Sequence, residues 1–163
     1  MIACIAPTGG APPEKQTSQP ASLFETTTVF SATPKNKPNY RIPALIRAPS
    51  GDLLAFAEKR NDGPGDIGDH DIVIKRSRDK GRTWGAEQLV FDDGARPCTD
   101  ITVGRDRTTG KLWLFFLRDK KQFAHFTSAD DGATWHGPTS IHAQVTMPKW
   151  DTLRAGTADD DPS

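Results

Sequence analysis

Short apolar runs alternate with turn-forming residues along most of this chain. Runs of six to eight residues rich in β-branched and aliphatic side chains lie at 26–32, 42–48, 52–59, 71–77, 87–92, 100–105, 111–118, 122–128 and 139–144. Gly and Asp recur between them, at 50–52, 79–81, 108–110 and 130–132. This spacing is typical of strands joined by tight turns. No long segment shows the 3.6-residue apolar period of a helix. The pattern predicts an all-β fold of antiparallel meanders.

Composition divides the chain into three parts. Residues 1–24 are rich in Pro, Gly, Ser and Thr and predict a disordered or processed tail. Residues 25–156 carry the strand-like runs and predict the folded part. Residues 157–163, TADDDPS, differ from both.

Charge and residue counts exclude several classes of function. The 163 residues contain 21 basic and 21 acidic side chains, so no basic footprint for nucleic acid exists. No apolar stretch is long enough to span a membrane. Cys4 and Cys98 do not make a disulfide framework. The first residues lack the basic region of a signal peptide, so the chain is not exported or its true start lies upstream, and localisation stays unknown.

The histidines, four in number, give no sign of a metal or cofactor. They lack metal-ligand spacing and have no cysteine partner. We therefore expect no metal site and no cofactor. The histidines lie at 70, 125, 136 and 142.

An octapeptide occurs twice, as SRDKGRTW at 77–84 and SADDGATW at 128–135. The copies start 51 residues apart, and each follows a strand-like run. A period near fifty with about four strands is typical of a β-propeller blade. Within the octapeptide, Asp is expected to accept backbone N–H bonds, Gly to adopt positive φ, and Trp to plug the space between sheets. We assign it a structural role only.

The octapeptide resembles the Asp-box of the sialidases, and a second motif strengthens the resemblance. Tyr40-Arg41-Ile42-Pro43 matches the Tyr/Phe-Arg-Ile-Pro motif that precedes the first propeller strand in that superfamily. The resemblance runs from about residue 25 to about residue 150. It implies a six-bladed β-propeller of sialidase type, of which about two blades are present. It also implies an exo-α-sialidase that releases terminal sialic acids from glycoconjugates, with sialylated glycans as partners.

The resemblance assigns two principal site residues. The motif arginine, Arg41, corresponds to the first of three arginines that clamp the sugar carboxylate, for which a guanidinium fork is suited. The general acid is expected in the loop 61–71. Relatives place it about eleven residues before the Asp-box serine, which selects Asp66. Asp62 and Asp69 remain alternatives.

Three further residues are candidates for substrate contact. In the family the arginine that corresponds to Arg60 lines the pocket near the carboxylate. Glu58 shares a strand face with Arg60 by alternation, so this pair can also be structural. Asp100 corresponds to an acidic residue that opens the second blade, although many relatives have Pro after it and this chain has Ile101.

The family's tyrosine nucleophile has no counterpart in this sequence. Tyr40, the single tyrosine, belongs to the motif, and the remaining clamp arginines are expected in later blades. We therefore expect no sialidase activity from these 163 residues alone. The rival interpretation is a non-catalytic Asp-box module that binds carbohydrate or acts as a scaffold. Oligomeric state does not follow from the sequence.

Overall fold

A computed structural model of the protein describes residues 25–35 and 37–147. The described part is built almost entirely from β-strands. They are β1 (Asn39–Arg47), β2 (Leu53–Arg60), β3 (His70–Ser77), β4 (Gln88–Phe91), β5 (Cys98–Arg105), β6 (Leu112–Arg118), β7 (Gln122–Ser128) and β8 (His136–Ser140), followed by one helical turn, α1 (His142–Val145).

The strands form two four-stranded sheets with the orders β1-β2-β3-β4 and β5-β6-β7-β8. Every neighbouring pair is antiparallel, so each sheet is a simple meander. The first strands of the two sheets, β1 and β5, lie side by side. This arrangement confirms the all-β fold and the two propeller blades.

A single core lies between the two blades. Phe56 of β2 meets the Trp135 ring edge-on, with centroids 5.6 Å apart. Phe91 of β4 packs against Phe116 and Phe126 of the second blade at 5.7 and 5.2 Å. Because each blade buries its apolar face against the other, the two sheets stabilise each other.

Both octapeptides form the same hydrogen-bonded turn. In the second copy, Asp130 Oδ1 accepts the backbone N–H of Thr134 at 2.9 Å and Oδ2 accepts the Thr134 hydroxyl at 2.5 Å. The Ser128 hydroxyl oxygen accepts the N–H of Gly132 at 2.8 Å, and Gly132 has φ +77°. The predicted turn chemistry is therefore confirmed, and Trp135 supplies the plug between the sheets.

Three strand predictions were wrong in detail. The run 26–32 forms no strand; instead, Val29 accepts a hydrogen bond from Lys75 Nζ at 2.8 Å, and Phe30 stacks on Tyr40. Contacts made by side chains thus replace a backbone ladder in this segment. The run 139–144 is split between β8 and α1, because β8 pairs with β7 from His136 onward. The Tyr-Arg-Ile-Pro motif lies inside β1 and does not precede it.

The proposed tail 1–24 and the end segment 157–163 lie outside the described residues. Their boundaries stay predictions. No helix in the described part is long and apolar enough to cross a membrane.

Candidate functional site

The first strand of each blade carries a β-bulge near its beginning. In β1 the register with β2 shifts between Arg41 and Ala44, and Ile42 has φ +49°. In β5 the register with β6 shifts between Thr99 and Thr102. Asp100 lies in this second bulge with φ +58°. A bulge bends the strand and re-aims its side chains.

Two guanidinium groups meet on one carboxylate oxygen. Arg60 Nη1 donates to Asp66 Oδ1 at 2.5 Å, and Arg41 Nη1 donates to the same oxygen at 3.2 Å. Both also reach the carbonyl of Pro64, at 2.9 Å from Arg60 and 3.3 Å from Arg41. Strand alternation and the bulge in β1 bring these two arginines, 19 positions apart in the sequence, to one place. The pair forms a binding place for a carboxylate.

Glu58 holds Arg60 in position from the buried side of the site. Its side chain is fully buried, and its Oε2 accepts Arg60 Nε at 3.1 Å and Nη2 at 2.8 Å. Its Oε1 accepts the backbone N–H of Asp100 at 2.8 Å. One buried carboxylate therefore fixes the orientation of Arg60 and ties the first blade to the bulge of the second.

Burial and charge act on these groups in different directions. Burial raises the pKa of Glu58 against the opposing effect of the Arg60 hydrogen bonds. Burial also works against the charged form of Arg60, but hydrogen bonds to Asp66 and Glu58 outweigh it and raise the Arg60 pKa. The pKa of Asp66 is lowered, first by its hydrogen bond from Arg60 and then by the charge of that group. Asp66 is therefore ionised in this geometry.

The loop 61–69 between β2 and β3 holds the three candidate acids. Asp66 is 66% exposed and lies on the arginine pair. Asp62 instead accepts the backbone N–H of Asp69 through Oδ2 at 3.2 Å, which closes the loop on itself. Gly68, at φ +124°, passes so close that a Cβ there would stand 3.1 Å from Asp62 Oδ2. Among the three carboxylates, only that of Asp66 contacts the arginine pair.

Tyr40 has a different environment from Arg41. Its hydroxyl donates to Glu87 Oε2 at 2.8 Å, and its ring stacks on Phe30 at 5.2 Å. Burial, followed by the contact with Glu87, raises the pKa of Tyr40 to about 12. These contacts make Tyr40 a structural residue and a poor nucleophile.

Two features of this region did not emerge from the sequence. His70 is 1% exposed, pairs with Arg60 across the β2–β3 ladder, and forms an isolated bridge with Pro97. Burial lowers the pKa of His70, so the imidazole is held neutral beside Arg60. The alternation of side chains along β3 could have placed His70 on one face of the strand. It could not have shown that His70 is buried, because the covering loop is not part of that pattern.

The second missed feature is a cluster of three carboxylates. Asp69, Asp71 and Asp92 each direct an oxygen to one place, and these oxygens lie within 4.8 Å of one another. Asp92 follows β4, more than 20 residues from the other two, so no local motif connects them.

Comparison with known protein families identifies the family of this chain. A family model described as a BNR repeat-like domain matches residues 51–156, which is well over half of the chain. The chain belongs to this family. The BNR match includes both octapeptides, the loop of Asp66 and the bulge of β5.

Relatives of this BNR chain carry the name sialidase. A sialidase of Micromonospora viridifaciens is 37% identical over 112 residues, covering 66% of this chain and 17% of that protein. A sialidase of Bacteroides fragilis is 27% identical over 150 residues, covering 74% of this chain and 28% of that protein. The mouse protein Sialidase-3 is 27% identical over 156 residues, covering 79% of this chain and 36% of that protein.

A solved structure agrees with these relatives. The Hadza microbial sialidase Hz136 aligns with a TM-score of 0.62 and 27% identity, covering 70% of this chain and 28% of that one. The sialidase-type propeller fold expected from the sequence is therefore confirmed. The chain spans between about one sixth and just over one third of the length of these relatives.

Proposed function

We propose that this chain forms the carboxylate-clamp side of an exo-α-sialidase site acting on terminal sialic acids of glycans. The observation that carries the proposal is the convergence of Arg41 and Arg60 on a single carboxylate oxygen. Sialic acid bears a carboxylate on its anomeric carbon, and paired guanidinium groups match that group. Kinship with proteins named sialidase supports the same assignment.

Asp66 is the proposed general acid, and the ligand-free geometry keeps it inactive. Its carboxylate occupies the clamp that a substrate carboxylate requires, and Arg60 holds its pKa below the ordinary range. A general acid must instead carry a proton near the operating pH. A substrate carboxylate that takes over Arg41 and Arg60 removes these hydrogen bonds from Asp66. The pKa of Asp66 then rises, and its carboxyl group is released toward the leaving oxygen.

The remaining chemistry must come from residues outside those described. Retaining sialidases use a tyrosine nucleophile, and the structural contacts of Tyr40 disqualify it. We expect the 163-residue chain to bind a sialic acid carboxylate and to show no turnover of a fluorogenic sialoside. Measurable turnover by the purified chain would contradict this division of roles.

Binding of free N-acetylneuraminic acid, followed by NMR chemical-shift changes or calorimetry, tests the clamp. Arg41→Met should weaken binding at least tenfold, because one of the two donors to the carboxylate is lost. Arg107→Met provides a matched control, since Arg107 is exposed in the turn of the second blade. Equal affinities for the two variants would refute the clamp.

A non-catalytic carbohydrate-binding module is a second candidate. It is favoured by the low pKa of Asp66, which leaves this carboxylate ionised. Asp66→Ala distinguishes the two when introduced into a protein that includes the remaining blades. An enzyme should lose turnover of natural sialosides by at least a hundredfold. A binding module has no turnover to lose and should bind sialic acid more tightly once the internal competitor is removed.

A further inference from the structure

The cluster Asp69, Asp71 and Asp92, named here the carboxylate triad, lies at the base of the loop that carries Asp66. Asp69 ends this loop, Asp71 is the second residue of β3, and Asp92 directly follows β4. The loop is closed beside the triad by the Asn61 N–H, which donates to the Asp69 carbonyl at 2.9 Å. The triad thus joins two chain segments, the start of β3 with the residue before it and the residue that follows β4.

Two oxygens of the triad are buried without a partner. Asp71 is 92% buried, since only 8% of its surface is exposed. Its Oδ2 accepts Asn61 Nδ2 at 2.8 Å, while its Oδ1 has no hydrogen-bond partner among the described residues. The Oδ1 of Asp69 is likewise buried and unpartnered there. Leaving a buried carboxylate oxygen unsatisfied is costly, so two such oxygens on residues of the triad indicate a positively charged ligand.

The lysine opposite the triad in the β2–β3 ladder forms its ion pair elsewhere. Lys59 stands opposite Asp71 in the β2–β3 ladder, but its ammonium group makes its ion pair with Glu87 at 3.1 Å. Three carboxylates within 4.8 Å of one another repel each other strongly unless a cation lies between them.

We propose that the carboxylate triad binds a calcium ion. Oxygen-only ligands select hard cations over zinc or copper. Calcium accepts six to eight oxygen ligands at about 2.3–2.6 Å in a flexible geometry, whereas magnesium demands a near-ideal octahedron at about 2.0–2.1 Å and gives up its water reluctantly. The open side of exposed Asp92 admits the water molecules that complete the calcium shell. No His or Cys spacing marks this site in the sequence, and its acidic residues come from segments about 20 positions apart.

The function of the ion follows from its position. It links the end of the Asp66 loop and the start of β3 to the residue that follows β4, so calcium stabilises the blade and restrains that loop. This inference concerns stability and does not depend on the proposed glycosidase activity.

Thermal unfolding and calorimetry of the 163-residue chain test the proposal, after EDTA treatment and removal of the chelator. At pH 7.5, CaCl₂ at about a hundred times Kd should raise Tm by about 5 °C or more. The same titration with MgCl₂ should give at least tenfold weaker binding. An unchanged Tm up to about 10 mM CaCl₂, which exceeds the Kd of the weakest extracellular calcium sites, would overturn the proposal.

Asp92→Asn gives a test in which the sign of the effect is informative. Asn retains the oxygen that accepts the Gly94 N–H at 2.6 Å, so the turn after β4 is kept. The variant should unfold at a higher temperature than the parent in EDTA, because one repelling charge is gone, and should bind calcium at least tenfold more weakly, because the amide oxygen carries no charge. Asp106→Asn is the matched control, because Asp106 Oδ1 accepts the Thr108 N–H at 2.8 Å in a similar turn far from the triad. An unchanged calcium affinity in Asp92→Asn would refute the site.

Discussion

The two octapeptide glycines, Gly81 and Gly132, offer a direct test of how the blades pack. Both have positive φ, +90° and +77°, so alanine is strained at either position. Their surroundings differ. A Cβ at Gly81 would stand 3.5 Å from Leu53 Cδ1, an ordinary contact, whereas a Cβ at Gly132 would stand 2.7 Å from Leu54 Cδ1. Leu54 is fully buried in the core between the blades, so its methyl group has no free space to enter.

The magnitudes follow from separating the backbone and packing contributions. Left-handed backbone costs an alanine about 1–2 kcal/mol, which applies to both variants. The loss of chain entropy in the unfolded state is also common to both and cancels in the comparison. Overpacking a buried position adds about 1–3 kcal/mol, and this applies to Gly132→Ala alone. At about 2–4 °C per kcal/mol for a chain of this size, Gly132→Ala should melt about 2–12 °C below Gly81→Ala.

Urea and thermal unfolding of the two variants measure this difference. Leu54→Val in the Gly132→Ala background serves as a double-mutant test, because it shortens the side chain that collides. The double variant should be at least ~1 kcal/mol more stable than the sum of the single effects. Equal losses for the two glycine variants, with no coupling to residue 54, would refute the close approach of the second turn to the first blade.

Three further predictions concern buried and charged groups. Glu58→Gln should lower the free energy of unfolding by about 1.5–3 kcal/mol, since Arg60 then loses the charged acceptor on its buried side and keeps only the exposed Asp66; an unchanged urea midpoint would contradict this. Cys98 is fully buried, and burial raises the pKa of its thiol to about 12, so in a Cys4→Ser background a thiol reagent should modify it only on unfolding, and rapid labelling of the native chain would be inconsistent. The Thr83 hydrogen bonds lower the pKa of Asp79 to about 2 from 3.8. Its stabilising contribution is therefore complete above the unfolded pKa and lost as pH falls from about 4 toward 2. The Tm gap between the parent and Asp79→Asn should shrink over that range, and a constant gap would argue against the ionised turn.

Local chemistry accounts for what the sequence predicted well. The octapeptide turns close through bonds between residues two to four positions apart, so their geometry follows from residue type alone. Strand alternation likewise put Glu58 and Arg60 on one face, and the structure joins them by a buried ion pair. The run 26–32 failed for the opposite reason, because a strand needs a neighbouring edge that no local pattern reveals.

Tertiary structure decided the features that depend on distant segments meeting. The bond from the Asp100 N–H to Glu58 crosses from one blade to the other, and the bulge that presents it has no clear sequence signal. The carboxylate triad unites Asp69 and Asp71, around the start of β3, with Asp92 after β4. These two segments come close only when β3 and β4 pair. The sequence alone therefore determined the strands, the turns and the residue types that hold a carboxylate. Only the pairing of strands and the closure of the loop within the first blade decided that Asp66 occupies the clamp and that three acidic side chains share one place, because these contacts form through space and not along the chain.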